Sequence, residues 1–169
     1  MDRTPEWVEL LLTNPIFSTL AEMDARALYG AGTLRRLEKG DLIFWQGEAP
    51  NGFYLVLEGE FSVAVDGEDG PVRIATIHRG ETVGEMGLVQ ASARSASCAA
   101  TARALVWHLP GEVFEGLLYR GDPIAASILR GIGKDLCRRF RSAVDEGARL
   151  VAALHDGERI EVDTLGWEV

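Results

Sequence analysis

The sequence predicts a mainly β domain with flanking α-helices, its strands closed as a sandwich or jelly-roll barrel. Three observations carry this. From Thr33 to Pro110, short apolar runs recur between glycine turns. Inside those runs Phe61, Val63, Val65 and then Val72, Ile74, Thr76 alternate at period two, as strands with one buried face do. On either side of the region, apolar residues return at helical spacing. Many short strands with regular turn signals suit a sandwich or barrel.

Taken in order, residues 5–31 read as short helices. Pro5 suits a first helical turn, and Trp7, Leu10 and Leu11 recur at helical spacing. Asn14-Pro15 breaks the run. A second stripe, Ile16, Phe17, Leu20, Met23, Ala27 and Leu28, ends before Gly30. Strands are expected at 33–38, 42–46, 53–58, 60–66, 72–78, 95–101 and 104–109, with turns at Lys39-Gly40-Asp41, Gly47-Glu48, Glu58-Gly59 and Asp66 to Gly70. After Pro110, Val113, Phe114, Leu117 and Leu118 suggest a short helix broken at Gly121. Asp122-Pro123 is a helix start, with Asp as N-cap and Pro in the first position. Ile124, Ile128, Ile132, Leu136, Phe140 and Val144 then recur every four residues, and a stripe this long needs a partner. The barrel itself takes part of it. Gly131 and Gly133 weaken this helix, each by about 1 kcal/mol relative to Ala, and suggest a hinge. Further on, His155-Asp156-Gly157 between VAAL and RIEV reads as the turn of a small hairpin.

Composition narrows the function. A chain of 169 residues, 47% hydrophobic and 25% charged, is ordinary for one soluble globular core with room for an added segment. No apolar run reaches 18 residues, so no membrane span is expected, and MDRTPEWVELLL is not a secretory signal. Cys98 and Cys137 match no metal spacing and read as buried small hydrophobes, which fits a reducing cytoplasm. His78, His108 and His155 form no ligand pattern, so no metal site is expected and a metal-binding cupin is disfavoured. No nucleophile elbow, kinase motif or cyclase motif is present, so no catalytic residues are assigned. A net charge of −9 and a pI near 4.8 argue against a general polyanion binder. The local basic group Arg138, Arg139 and Arg141 reads as a solvated helix face. Near the end, Asp156, Glu158, Glu161, Asp163 and Glu168 stand against the single Arg159.

The stretch with most chemistry is 83–96, VGEMGLVQASARSA. Gly84 allows close backbone approach or positive φ. The carboxylate of Glu85 is acceptor-only and suits sugar hydroxyls. Residues 86–89 are long enough for one helical turn, whose free N–H groups favour anions. Arg94 offers a planar fork of donors for phosphate oxygens. An anionic group bound beside a sugar diol points to a ribonucleotide.

Gly84-Glu85, Leu88 two residues beyond Met86, and Arg94-Ser95-Ala96 together resemble the phosphate-binding cassette of the cyclic nucleotide-binding domain family. The resemblance extends over roughly residues 15–145. Val83 stands where an aromatic is common and Ala93 where a proline often precedes the Arg; neither departure touches the polar contacts. The resemblance implies a jelly-roll cyclic nucleotide-binding barrel with N-terminal helices and C-terminal lid helices. It places the domain at 1–146, with a helical lead-in 1–32, barrel 33–110 and helices 111–146, followed by an acidic extension 147–169. It gives Glu85 the ribose 2′-hydroxyl and Arg94 the cyclic phosphate, with Gly84, Met86, Gly87, Ser95 and Ala96 completing the ligand-binding set. Base contacts are expected from Val83 and, on the lid helix, from Arg139, Ser142 and Ala143. The implied ligand is cAMP or cGMP, with no cofactor. Ser95 can serve either the guanine 2-amino group or the phosphate, whereas the apolar and small Val83, Leu88, Ala96 and Phe140 favour adenine.

The expected function is a stand-alone sensor that passes nucleotide binding through the helix at 123–144 to a protein partner or a second copy. One alternative is a scaffold of the same fold that binds no nucleotide, against which the intact Glu85 and Arg94 speak. Another is a DNA-binding regulator acting through a partner chain. Direct DNA binding is not expected, because the about 25 residues after the last helix are too few for a helix-turn-helix module.

Overall fold

The structure is a computed structural model that describes residues 6–90 and 92–155. Its architecture follows from one strand, β3 (Gly52–Glu58), in which six successive residues are buried. A strand alternates its side chains between two faces, so an unbroken apolar run means that both faces are covered. Phe53, Leu55 and Leu57 point to a helical layer, while Tyr54 and Val56 point into the barrel.

Among the described residues, eight strands form two antiparallel four-stranded sheets. β1 (Thr33–Leu37), β8 (Ala104–Pro110), β3 and β6 (Thr82–Val83) lie in that order in the first. The second runs β2 (Leu42–Phe44), β7 (Ser97–Ala100), β4 (Phe61–Gly67), β5 (Gly70–Ile77). Their inner faces interdigitate through Phe44, Tyr54, Val56, Phe61, Cys98 and Val106. The seven expected strands all form, with ends shifted by a few residues. β6 is an addition: two residues are too short to show a period, and only pairing of Leu55 with Thr82 and Tyr54 with Val83 defines it. Where β1 and β2 leave the two sheets unjoined, the Arg35 guanidinium crosses over. Its Nη2 donates to the Leu42 carbonyl at 2.8 Å and its Nη1 to the Ile43 carbonyl at 3.3 Å.

Helices α1 (Glu6–Thr13), α2 (Glu22–Ala31), α4 (Gly111–Tyr119) and α5 (Pro123–His155) cover the outer face of the first sheet, and α3 (Met86–Gln90) sits in the β6–β7 connection. Phe17 stacks on Phe53 at 5.6 Å, and Trp107 meets both rings edge-on while its Nε1 donates to the Tyr29 carbonyl at 3.0 Å. The second expected stripe of the lead-in is divided. Residues 14–20 form turns held by Asn14, whose Oδ1 accepts from the Ile16 N–H and whose Nδ2 donates to the Gly80 carbonyl, both at 2.9 Å. α2 starts only at Glu22 and runs through Gly30.

α5 corrects several expectations. It begins as expected, with Asp122 Oδ1 accepting from the Ile124 N–H at 2.9 Å. It then continues for 33 residues, about 50 Å at the helical rise. The boundary drawn at 146 therefore falls inside a helix, and VAAL is helical rather than a hairpin strand. The Asp156-Gly157 turn and the strand after it lie outside the described residues. Gly131 is not a hinge: a Cβ there would overlap the Ile16 backbone, so the glycine lets α5 lie directly on the lead-in turn. Gly133, by contrast, faces open space. The apolar stripe splits, with Ile128 and Ile132 buried but Phe140 and Val144 exposed. Cys98 is buried as expected, whereas Cys137 is exposed on α5. Among the described residues no helix is long and apolar enough to cross a membrane.

Candidate functional site

A cavity of about 480 Å³ lies between the second sheet, the β6–β7 connection and α5. That is within the range of small-molecule pockets. Val83, Gly84, Glu85, Met86, Gly87, Arg94, Ser95, Ala96, Arg139, Ser142 and Ala143 all line it. The structure thus brings every site residue expected from the sequence to one place.

Gly84 ends β6 with φ +87°, in the left-handed region that glycine enters without strain. A Cβ there would also sit 2.5 Å from Arg94 Nη1. Both facts require glycine. The backbone of Arg94 is pinned to the β2–β3 turn, its N–H donating to the Glu48 carbonyl and its carbonyl accepting from the Gly47 N–H, each at 2.8 Å. Its side chain is 5% exposed. Nη1 donates to the Gly84 carbonyl at 2.8 Å, and Nη2 to the Gly52 carbonyl at 2.7 Å and to Asn51 Oδ1 at 3.1 Å. The guanidinium also lies over the Phe44 ring, 4.2 Å from its centroid. Burial pulls the guanidinium below its ordinary pKa, yet it starts far enough above neutrality to stay charged. Nε has no partner among the described residues, so a donor is left for an incoming anion.

Glu85 is 3% exposed. Burial raises its carboxyl pKa, against the opposing pull of the Arg139 guanidinium. Oε1 lies 3.3 Å from Arg139 Nη1, while the buried Oε2 has no hydrogen-bond partner among the described residues. Arg139 continues to Asp135, its Nε 2.7 Å from Oδ2, and Arg138 reaches Asp135 Oδ1 at 2.6 Å. This chain of charges, with its two carboxylates buried and its two guanidinium groups partly exposed, ties α5 to the loop that carries Glu85. Arg139 is therefore turned into the site, not out on a solvated face. Met86 and Gly87 open α3, and Gly87 packs where a Cβ would meet Pro50 at 2.7 Å. Ser95 and Ala96 lead into β7; Ile74, Ala75, Leu136 and Phe140 supply the apolar wall opposite.

Sequence reasoning missed the residues that hold Arg94 from behind. Asn51 shares one oxygen between Arg94 Nη2 and the Tyr54 hydroxyl, which donates at 3.2 Å. Phe44 and the Gly52 carbonyl complete the seat. These partners lie 42 or more positions from Arg94 in sequence and leave no local pattern to read. Asp135 was missed also; only its place one helical turn before Arg139 hints at the pair.

Comparison with known proteins fits this geometry. The model of the cyclic nucleotide-binding domain family matches residues 34–120. The chain is 34% identical over 93 residues to a cAMP-dependent protein kinase type II regulatory subunit from Drosophila melanogaster, covering 55% of this chain and 25% of that protein. It is 36% identical over 104 residues to a cAMP-dependent protein kinase regulatory subunit from Yarrowia lipolytica, covering 62% and 27%. The chain thus spans about a quarter of the length of these curated relatives. The fold is similar to a crystal structure of a cyclic nucleotide-binding domain from Methylobacillus flagellatus, with TM-score 0.75 and 23% identity over 83% of this chain and 82% of that one. It is similar also to the Thermus thermophilus catabolite activator protein, with TM-score 0.70 and 28% identity over 81% and 63%.

Proposed function

The chain belongs to the cyclic nucleotide-binding domain family, and from that premise we propose that it is a cAMP sensor that signals through α5. The observation that carries the reading is Oε2 of Glu85, a buried acceptor that finds no donor among the described residues, on a side chain lining a ligand-sized cavity. An unpartnered buried oxygen is costly, and a ribose 2′-hydroxyl supplies the donor. Nε of Arg94 is left for the cyclic phosphate in the same cavity. The base then rests against Ile74, Ala75, Leu136 and Phe140, with the hydroxyls of Ser95 and Ser142 at hand. A mostly apolar wall favours adenine, which asks for fewer polar partners than guanine.

Signalling follows from Arg139. A ligand hydroxyl on Glu85 changes the charge balance that Arg139 feels, and Arg139 is part of α5. The exposed Leu129, Phe140, Val144 and Val151 give that helix an apolar side for a second copy or another protein. Calorimetric titration of the full chain with cAMP and cGMP tests the reading. Binding of cAMP with the higher affinity is expected. Heat from neither nucleotide would instead support a scaffold that keeps the fold without the ligand.

A further inference from the structure

We propose that His108 is a proton-linked member of the phosphate subsite, taking up a proton when an anion binds at Arg94. The inference rests on the reading just given, in which the cavity holds a cyclic phosphate. His108 lies in β8 directly opposite Tyr54 of β3, and cross-strand partners share a face of the sheet. Tyr54 and Val106 belong to the barrel interior, so His108, two residues beyond Val106, is turned the same way. Its ring stacks on the Tyr54 ring with centroids 4.4 Å apart. Its Nε2 is buried and has no hydrogen-bond partner among the described residues.

Two short paths join this ring to Arg94. Gly52 has φ +137°, and a Cβ there would fall 2.7 Å from His108 Nε2. The carbonyl of the same glycine accepts from Arg94 Nη2 at 2.7 Å. Along the second path, the Tyr54 hydroxyl and Arg94 Nη2 both donate to Asn51 Oδ1. His108 and the ligand therefore act on one guanidinium from different edges, since Nη2 faces Gly52 while Nε is the donor left for the phosphate.

The charges around the imidazole are all of one sign. Burial holds it below its ordinary pKa, the Asn51 backbone carbonyl pulls the other way, and the guanidinium groups of Arg94 and Arg35 lower it further. Tyr54 is the titratable neighbour from β3, and Glu48 acts on Arg94. Among the described residues no carboxylate bears on His108. The immediate contacts nevertheless suit an imidazolium, with an aromatic face against the ring and a backbone carbonyl nearby. A cyclic phosphate sets one negative charge against Arg94. Cancelling the larger of the two opposing charges should raise the imidazole pKa by about one unit at an effective dielectric near 20. Linkage is reciprocal, so protonated His108 strengthens anion binding by up to about tenfold as pH falls through that interval. The sign is opposite to that of Glu85, whose protonation weakens the ribose contact.

The test is an imidazole titration of the full chain by NMR, free and saturated with cAMP, with the His108 ring assigned by through-bond correlation. The His108 signal should titrate below the usual histidine range in the free protein and about one unit higher with cAMP. The His78 titration should not move. Calorimetry of cAMP binding in two buffers of different ionisation enthalpy counts the protons independently. Between the free and bound values, the wild type should take up about half a proton more than His108→Gln. Taking the difference removes the contribution of Glu85, which both proteins share. A histidine that only packs on Tyr54 would change Tm in the variant and leave the proton count alone. Binding of cAMP without movement of the His108 titration, or with equal proton counts in the two proteins, would overturn the proposal and leave the binding site standing. If cAMP shifts no amide signal from Gly84 to Gly87, the ligand reading falls, and the proposal with it.

Discussion

Replacing Arg94 by Ala separates the two jobs this side chain performs. In the folded protein it satisfies the Gly84 and Gly52 carbonyls and Asn51 Oδ1, and lies on Phe44. Losing three hydrogen bonds from a charged donor, at roughly 1.5–3 kcal/mol each before the site relaxes, should cost about 2–4 kcal/mol of stability. For a domain of this size that lowers Tm by about 5–15 °C. Loss of the phosphate contact should cost a further 2–5 kcal/mol of nucleotide affinity, by analogy with one partner removed from a buried charge pair. At about 1.4 kcal/mol per decade this raises Kd by roughly 30- to 4000-fold. Arg94→Lys should recover only part of both, because one ammonium cannot meet three acceptors in the plane of a fork. Calorimetric titration with cAMP at a temperature well below each variant's Tm keeps folding and binding apart. An Arg94→Ala protein that is folded and binds nucleotide like the wild type would refute the site as described.

Other perturbations have readable signs. Glu85 should make the site prefer cAMP over its 2′-deoxy analogue, and Glu85→Gln should erase that preference in a competition assay. Because burial raises the Glu85 pKa, its carboxyl favours the folded state below the ordinary glutamate range and loses that contribution as pH rises through the raised value. Wild-type Tm should therefore fall relative to Glu85→Gln across that window, while nucleotide affinity weakens as the carboxylate is protonated at lower pH. Gly131→Ala should destabilise by about 1–3 kcal/mol, since a Cβ meets the Ile16 backbone. Gly133→Ala, in open space mid-helix, should stabilise by about 0.5–1 kcal/mol; thermal melts of the pair give both signs. Nucleotide should slow amide exchange over residues 134–146, and protection confined to residues 84–95 would mean binding without a response in α5.

Local chemistry made most of the barrel and the polar cassette legible in the chain itself. The period-two run Phe61, Val63 survives as the inward face of β4, whereas in β5 Val72 and Ile74 are exposed and Ala75 and Ile77 meet the core instead; Gly84-Glu85 with Arg94 carries donors and acceptors in a recognisable order. What escaped depends on distant parts of the chain. The Asn51 seat behind Arg94 is assembled across 43 residues, and β6 exists only because β3 is beside it. Gly131 was open to a hinge reading because a helix glycine signals weakness in isolation. Its packing against Ile16 becomes visible only once the lead-in turn is in place. The same holds for the three-arginine run of α5, whose middle member Arg139 is drawn inward by Glu85 and Asp135.

The Arg35 bridge between the two sheets bears on how the molecule behaves in concentrated solution. β2 is a terminal strand of its sheet, and unpaired strand edges are where β-rich proteins join end to end into polymers. A visiting strand would seek free carbonyls here, and those of Leu42 and Ile43 already accept from a charged donor of the neighbouring sheet. The guanidinium offers the newcomer no acceptor in exchange. One side chain thus occupies two carbonyls that this flank of the barrel would otherwise offer to another copy.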